Sequence, residues 1–223
     1  IAVGQGNTFD TAFIIAGKAA GFFARHGVDP EFLLTSGGGE TLQAVNSKSV
    51  DIGIAAGTTG VLGAFAKGAP VRVISAQYRG SDESYVYVPA NSPIKTMRDA
   101  DGKTVAFSTV GASTYSMVTG IAEAYGVKPK FVPTGAIPAT YAQTMSGQVD
   151  IGWLAPPVGL EPAQSGRTRL IGSAGVIPKY KDQTVRVMVA NAQILAARRD
   201  VITRYLRAYR EVVEWMYTSD PAM

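Results

Sequence analysis

The chain repeats itself, and the repeat limits what it can become. Residues 47–60, SKSVDIGIAAGTTG, return at 146–159 as SGQVDIGWLAPPVG, an offset of 99 (146 minus 47). At that offset the match extends back to residue 27 without a gap. Gly27, Val28, Pro30, Phe32, Thr35 and Thr41 meet Gly126, Val127, Pro129, Phe131, Thr134 and Thr140, giving 13 identities over 34 positions. Self-similarity at a fixed period is read before anything else because it sets the architecture, and repeat units of solenoids run only about 20–50 residues. A chain of 223 residues with this much longer period reads as two copies of one lobe, each of ordinary small-domain size.

Each copy alternates short apolar runs with helical patterns. In the first, strands are predicted at 1–3, 31–34, 50–55 and 71–76, with helices over 9–25, 40–47 and 57–67. Gly27 and Pro30 close the first helix. The second copy gives strands at 103–107, 130–133 and 149–154 and helices over 114–125 and 139–146. Such alternation over short loops predicts an α/β fold with mostly parallel sheets. Two β-rich segments that resemble each other, 84–91 and 184–191, both end in Ala-Asn. They read as paired strands that cross between the lobes, placing one lobe at 1–87 plus 190–223 and the other at 88–189. Two crossings between two α/β lobes make a hinge with a cleft. A long amphipathic helix over 197–218 follows, with Val201, Tyr205, Ala208, Val212 and Trp215 on one side.

Composition removes several function classes. There is no cysteine and a single histidine, His26, so neither a zinc–thiolate site nor a Cys–His pair can form. A serine triad would need His26, which falls at the end of the first predicted helix, away from the strand-to-helix loops, and reads as a cap. No cofactor and no metal are expected. No apolar run approaches the roughly 18 residues of a membrane span. The net charge of +4 is scattered. Its densest group, Arg198, Arg199, Arg204, Arg207 and Arg210, shares its helix with Asp200 and Glu211, so it reads as a solvated face, with no nucleic-acid partner. Gly4-Gln5-Gly6 and Gly102-Lys103-Thr104 imitate dinucleotide and phosphate loops, but Phe9 and Met97 stand where those motifs need glycine.

Ligands of open α/β sheets bind beyond the carboxyl ends of the strands. The loops there carry Asn7 and Thr8, Ser36 with Gly37 and Gly38, and Thr58 with Thr59 in the first copy. In the second they carry Gly111, Ser113 and Thr114, then 135–138 and 155–157. They are rich in Gly, Ser and Thr and poor in acids, and helix starts favour negative charge. Ordinary capping explains the same residues one loop at a time. Phe9, Tyr78, Tyr115 and Trp153 could enclose an apolar body, with core packing the other reading of Trp153, and Arg79 could pair with a carboxylate or sulfonate. Asp51 and Asp150 occupy equivalent strand starts and read as structural.

The motifs taken in order resemble the solute-binding proteins of ABC importers, in the branch of aliphatic-sulfonate, taurine and nitrate receptors. Ala20-Gly21-Phe22-Phe23-Ala24-Arg25-His26-Gly27 is similar to that family's GFF–x–x–x–G motif. Val50-Asp51-Ile52-Gly53, Ala66-Lys67-Gly68-Ala69-Pro70, Ser92-Pro93-Ile94 with Asp101-Gly102-Lys103, and Gly147-Gln148-Val149-Asp150 with Trp153 and Pro156 continue the likeness through about residue 217. The resemblance implies a type II periplasmic binding fold, two Rossmann-like lobes joined by two crossing strands. It further implies a periplasmic monomer, its export signal outside these residues, that closes on a small organic anion and delivers it to a membrane permease. By position it implies ligand contacts at Asn7, Thr8, Phe9, Ser36, Gly37, Thr58, Thr59, Gly111, Ser113, Thr114 and Trp153. An enzyme of thiamine-pyrimidine or menaquinone-pathway type on the same fold, or a ligand-sensing effector domain, are the alternatives.

Overall fold

The computed structural model describes residues 1–219 other than Gln5 and Asn7. The first half runs β1 (Ala2–Val3), α1 (Phe9–Ala19), α2 (Phe22–Arg25), β2 (Leu33–Leu34), α3 (Gly38–Asn46), β3 (Ile52–Gly57), α4 (Thr58–Ala66) and β4 (Val71–Arg79). The second half runs β5 (Tyr85–Pro89), β6 (Thr104–Phe107), α5 (Ser113–Tyr125), β7 (Lys130–Pro133), α6 (Ile137–Met145), β8 (Gly152–Leu154), α7 (Leu160–Gln164) and β9 (Thr168–Ser173). The chain then returns through β10 (Thr184–Asn191) to α8 (Ala192–Ala197) and α9 (Arg199–Thr218).

The two crossing segments do not pair with each other, contrary to expectation. The first sheet has the order β2-β1-β3-β10-β4, parallel across β2, β1 and β3, with β10 antiparallel to both β3 and β4. In the second lobe β6 and β7 are parallel, and Val105 bridges Ile151 beside β8. Beyond β8, β5 lies antiparallel between β8 and β9. Read across, β7-β6-β8-β5-β9 mirrors the first sheet, and the fourth place in each lobe is filled by the strand that enters it from a crossing. The crossings therefore lie earlier than 87/88 and 189/190: Tyr85–Tyr87 pair in the second lobe and Thr184–Val189 in the first. They run side by side where the Gly80 amide donates to the Gln183 carbonyl at 3.0 Å.

The single helix expected over 9–25 is two. Gly21 adopts a left-handed φ of +76°, which a side chain would resist, and the chain turns there between α1 and α2. The turn presents Phe23, 1% exposed, to Tyr205 of α9 at 5.3 Å between ring centroids. The amphipathic helix packs as its pattern predicts, burying Ile202, Tyr205, Ala208 and Val212 against Phe13 and Ile14 of the first lobe. It begins after a break at Arg198, which pairs with Asp51 at 2.6 Å. Along α9 Arg204 pairs with Asp200 and donates to the carbonyls of His26 and Gly27 at the end of α2, and Arg210 pairs with Glu214. His26 ends α2 and meets Glu211 at 2.9 Å.

The repeat identities have a physical cause. Thr35 and Thr134, 6% exposed each, follow β2 and β7; their hydroxyls donate to the carbonyls of Val3 and Phe107 and meet Thr41 and Thr140 at 2.7 and 2.6 Å. One buried threonine pair thus ties strand to helix at the same place in each lobe. Replacing Thr41 or Thr140 with valine keeps the shape but leaves a buried hydroxyl short of a partner. Each change is expected to cost about 1–2 kcal/mol, the two nearly equal and additive, as urea denaturation would measure.

The aspartates are structural, Asp51 through Arg198 and Asp150 through Thr104. Asp150 accepts from the amide and hydroxyl of Thr104 at 2.8 and 2.7 Å, stitching β6 to β8. Burial works against its charge, but those two hydrogen bonds outweigh it and hold the carboxyl below its usual range. A depressed carboxylate adds stability above its unfolded value, near pH 4, and loses it as pH falls through the folded value. The Asp150→Asn variant is therefore expected to be less stable at neutral pH and to match the parent at the acid end of a pH series of melting temperatures.

Candidate functional site

The carboxyl ends of the parallel strands in both lobes face one another, and the lobes touch there through glycine. The Gly39 amide donates to Thr109 Oγ1 at 3.1 Å. A Cβ on Gly39 would stand 2.0 Å from the Val110 carbonyl oxygen, and one on Gly60 would stand 2.1 Å from that of Gly111. Across the opening, Thr8 bridges Pro157. What remains is a cavity of about 30 Å³, room for a water or two. The cleft is shut.

The starts of α1, α3 and α5 reach this cavity, bringing Thr8 and Phe9, Gly37 and Gly38, and Ser113 and Thr114. Trp153, from the end of β8, forms part of the wall at 2% exposure, and its indole N–H has no partner among the described residues. The Tyr78 hydroxyl, also at the wall, likewise lacks one among them. A buried donor without an acceptor is costly, and two side chains on this cavity carry one among the described residues.

The charged groups come from unexpected positions. Arg186 of β10, 9% exposed, donates from Nε to Ser113 Oγ at 3.1 Å and from Nη2 to Glu83 Oε1 at 2.9 Å, and lies 3.6 Å from Asp10. It thereby touches the first lobe, the crossing and the second lobe together. Its guanidinium sits 5.1 Å over the Tyr78 ring. Burial lifts the Asp10 carboxyl above the usual carboxylate range; Arg186 opposes that and Glu83 adds to it. Burial disfavours the charge on Arg186, but Asp10 and Glu83 together raise its pKa above the ordinary value. Burial also raises Tyr78, with Asp10 adding to the effect.

Of the residues singled out in the sequence, Thr8, Phe9, Gly37, Gly38, Ser113, Thr114, Tyr78 and Trp153 line this cavity. Asn7 lies outside the described residues. Thr58 and Thr59 line an adjoining space of about 150 Å³ on the hinge side, which shares Ser113, Thr114 and Arg186 with the first. Gly111 sits in the glycine seam. Ser36 is exposed and its amide donates to Glu40. Tyr115 packs against Phe107 and Phe131 at 4.9 and 5.9 Å, not against the cavity.

Arg79 is also elsewhere: it pairs with Asp182 on the exposed side of the hinge. The reason is strand parity, since adjacent residues face opposite sides of a sheet. Tyr78 faces inward, in register with Arg186, so Arg79 faces out. The loops are poor in acids, as expected, but the site is not. Asp10 enters from the first turn of α1 and Glu83 from the crossing, and sequence reasoning missed both, along with Arg186. The available signal was an arginine interrupting the apolar run Val185–Ala190.

A family model described as NMT1/THI5 like matches residues 8–222. No curated protein matches the sequence significantly. Solved structures match it in fold. The alkanesulfonate-binding protein of Xanthomonas axonopodis pv. citri, bound to MOPS, aligns at TM-score 0.80 and 16% identity, over 97% of this chain and 73% of that one. The periplasmic aliphatic sulphonate-binding protein of Escherichia coli gives 0.68 and 19%, over 98% and 70%. The periplasmic nitrate-binding protein of Synechocystis PCC 6803 gives 0.74 and 18%, over 96% and 61%. At these identities the likeness is one of fold, the periplasmic binding protein fold expected from the motifs. Among the described residues no helix is long and apolar enough to cross a membrane.

Proposed function

The chain belongs to the NMT1/THI5-like family, and from its cleft we propose that it is the solute-binding component of an ABC importer. In this reading it works in the periplasm, closes on a small organic solute with an anionic end, a sulfonate or carboxylate, and presents it to a permease. The observation that carries the reading is Trp153, whose buried indole N–H is unpartnered among the described residues and whose side chain lines a cavity where three helix starts meet. A helix start and an idle indole donor both call for an acceptor, and together they build an anion site without a lysine. The names of the similar structures, sulfonate- and nitrate-binding proteins, agree with it.

An enzymatic reading finds less support. The one histidine, His26, is held by Glu211 of α9, and among the described residues the cavity wall supplies none arranged as nucleophile with base. Titration calorimetry against alkyl and aryl sulfonates, carboxylates and nitrate tests the proposal, and absence of any binding tighter than millimolar would remove it. The Trp153→Phe variant keeps an aromatic ring and deletes the donor. It is expected to lose roughly tenfold in affinity, the worth of about one hydrogen bond, and to melt lower because the smaller ring leaves a void in the core.

A further inference from the structure

The wall of the cleft has a second cavity behind it. Adjacent side chains of a strand face opposite sides, and at the end of β8 Trp153 lines the cleft while Leu154 lines this other space. The division continues past the strand: Ala155 and Pro156 join the cleft wall, and Pro157 and Val158 join Leu154. On that far side, between α6 and α7, lies a cavity of about 330 Å³, to which Tyr87, Tyr141, Pro138, Pro162 and Thr168 also contribute. Its size is at the lower end for small-molecule sites, and its make-up is theirs, apolar and aromatic walls with few polar groups. The rings of Tyr87 and Tyr141 stand 6.4 Å apart, tilted by 32°, and the prolines add further flat faces. Apolar cavities in proteins take up small rings such as benzene. Burial lifts the Tyr87 phenol to about 12, with Thr144 opposing the rise, so it stays neutral. Glu161 is the one charged residue of the lining among the described residues, and Arg167 holds its carboxylate at the surface. Thr168 is different. It is 5% exposed, and its Oγ1 has no partner among the described residues. A hydroxyl shut away from water without a partner is costly.

We propose that this cavity is a second binding site, separate from the cleft, for a compact uncharged aromatic molecule carrying one hydroxyl. The ring lies among Tyr87, Tyr141 and the prolines, and the hydroxyl bonds Thr168 Oγ1. A plain hydrocarbon ring would fill the space and leave Thr168 idle. An anion would meet the Glu161 carboxylate, and a cation would give up its water for a carboxylate that Arg167 already holds. Nothing in this site depends on what the cleft takes.

Calorimetry with probes of one shape decides this. Benzyl alcohol is expected to bind more tightly than millimolar and about tenfold more tightly than toluene, one hydrogen bond's worth. Benzoate and benzylamine serve as competitors, so that binding elsewhere is not counted, and at equal concentration neither is expected to displace benzyl alcohol. The Thr168→Val variant keeps the shape and removes the hydroxyl. In it the tenfold preference should vanish while toluene binds as before, and the melting temperature should hold or rise, because a buried hydroxyl without a partner has gone. A damaged fold would instead weaken both probes and lower the melting temperature. Toluene matching benzyl alcohol in the parent, displacement by either ion, a preference that survives Thr168→Val, or no binding of benzyl alcohol would each overturn the site, and none of these bears on the receptor reading of the cleft.

Discussion

Replacing Arg186 with alanine is expected to destabilise the protein by about 3–5 kcal/mol, the range found when one partner of a buried ion pair is removed. The side chain is 10% exposed and faces Asp10 and Glu83, whose side chains are 6% and 26% exposed. Its removal strands two carboxylates where water cannot reach them freely. The loss should depend on pH in a particular sense. Asp10 already titrates above the usual range because it is buried, and without the guanidinium it should titrate higher still. A carboxyl whose folded pKa is raised penalises folding above that value, and the penalty fades as pH falls through it. The variant should therefore regain part of its deficit on mild acidification. Combining Arg186→Met with Asp10→Asn and Glu83→Gln should restore most of it at neutral pH. Urea denaturation from pH 8 to 5 would show both effects; a deficit independent of pH would mean that lost packing, not stranded charge, is the cause.

The second large effect falls on closure. Gly39 and Gly60 lie within α3 and α4, where alanine is favoured over glycine by roughly 1 kcal/mol. Yet a methyl group at either position would enter the backbone of the opposite lobe. The Gly60→Ala variant is expected to keep or slightly raise its melting temperature while failing to shut. Its affinity for ligand should fall about 100-fold or more, and small-angle scattering with ligand present should give a larger radius of gyration than the parent. A stability gain together with a binding loss separates this from ordinary damage. If the variant binds as well as the parent, the seam yields, and the closed geometry is not what grips the solute.

Much of the fold was legible because the repeat carries its own explanation. Thr35 and Thr134 recur where a buried hydroxyl pair is needed, and Gly27 and Gly126 recur at left-handed helix ends. What could not be read was non-local. The strands 84–91 and 184–191 look alike because they occupy the same place in mirrored sheets, and the same likeness suggested that they pair together. Alternation within a strand says which residues share a face, not which strand lies alongside. For that reason Arg79 seemed as plausible a cleft cation as Arg186. The loop residues Thr8, Gly37, Ser113 and Thr114 were visible from strand-to-helix spacing. Asp10 looked like any acid in a helix's first turn, and its importance comes from what buries it.

The late return of β10 has a consequence for how the molecule can be assembled. Without β10, the first half would leave an open slot between β3 and β4, whereas the second half fills the matching place between β8 and β9 with its own β5. The first half is therefore not a self-sufficient folding unit, although the sequence reads as a duplication. The ladder of β10 with β3 and β4 joins residues more than 100 positions apart, so it can close only after most of the polypeptide has been made, and distant pairing of this kind slows folding. Of two separately expressed fragments severed in the loop after Arg79, the first should be poorly structured alone and should recover native structure when mixed with the second, which carries its missing strand β10.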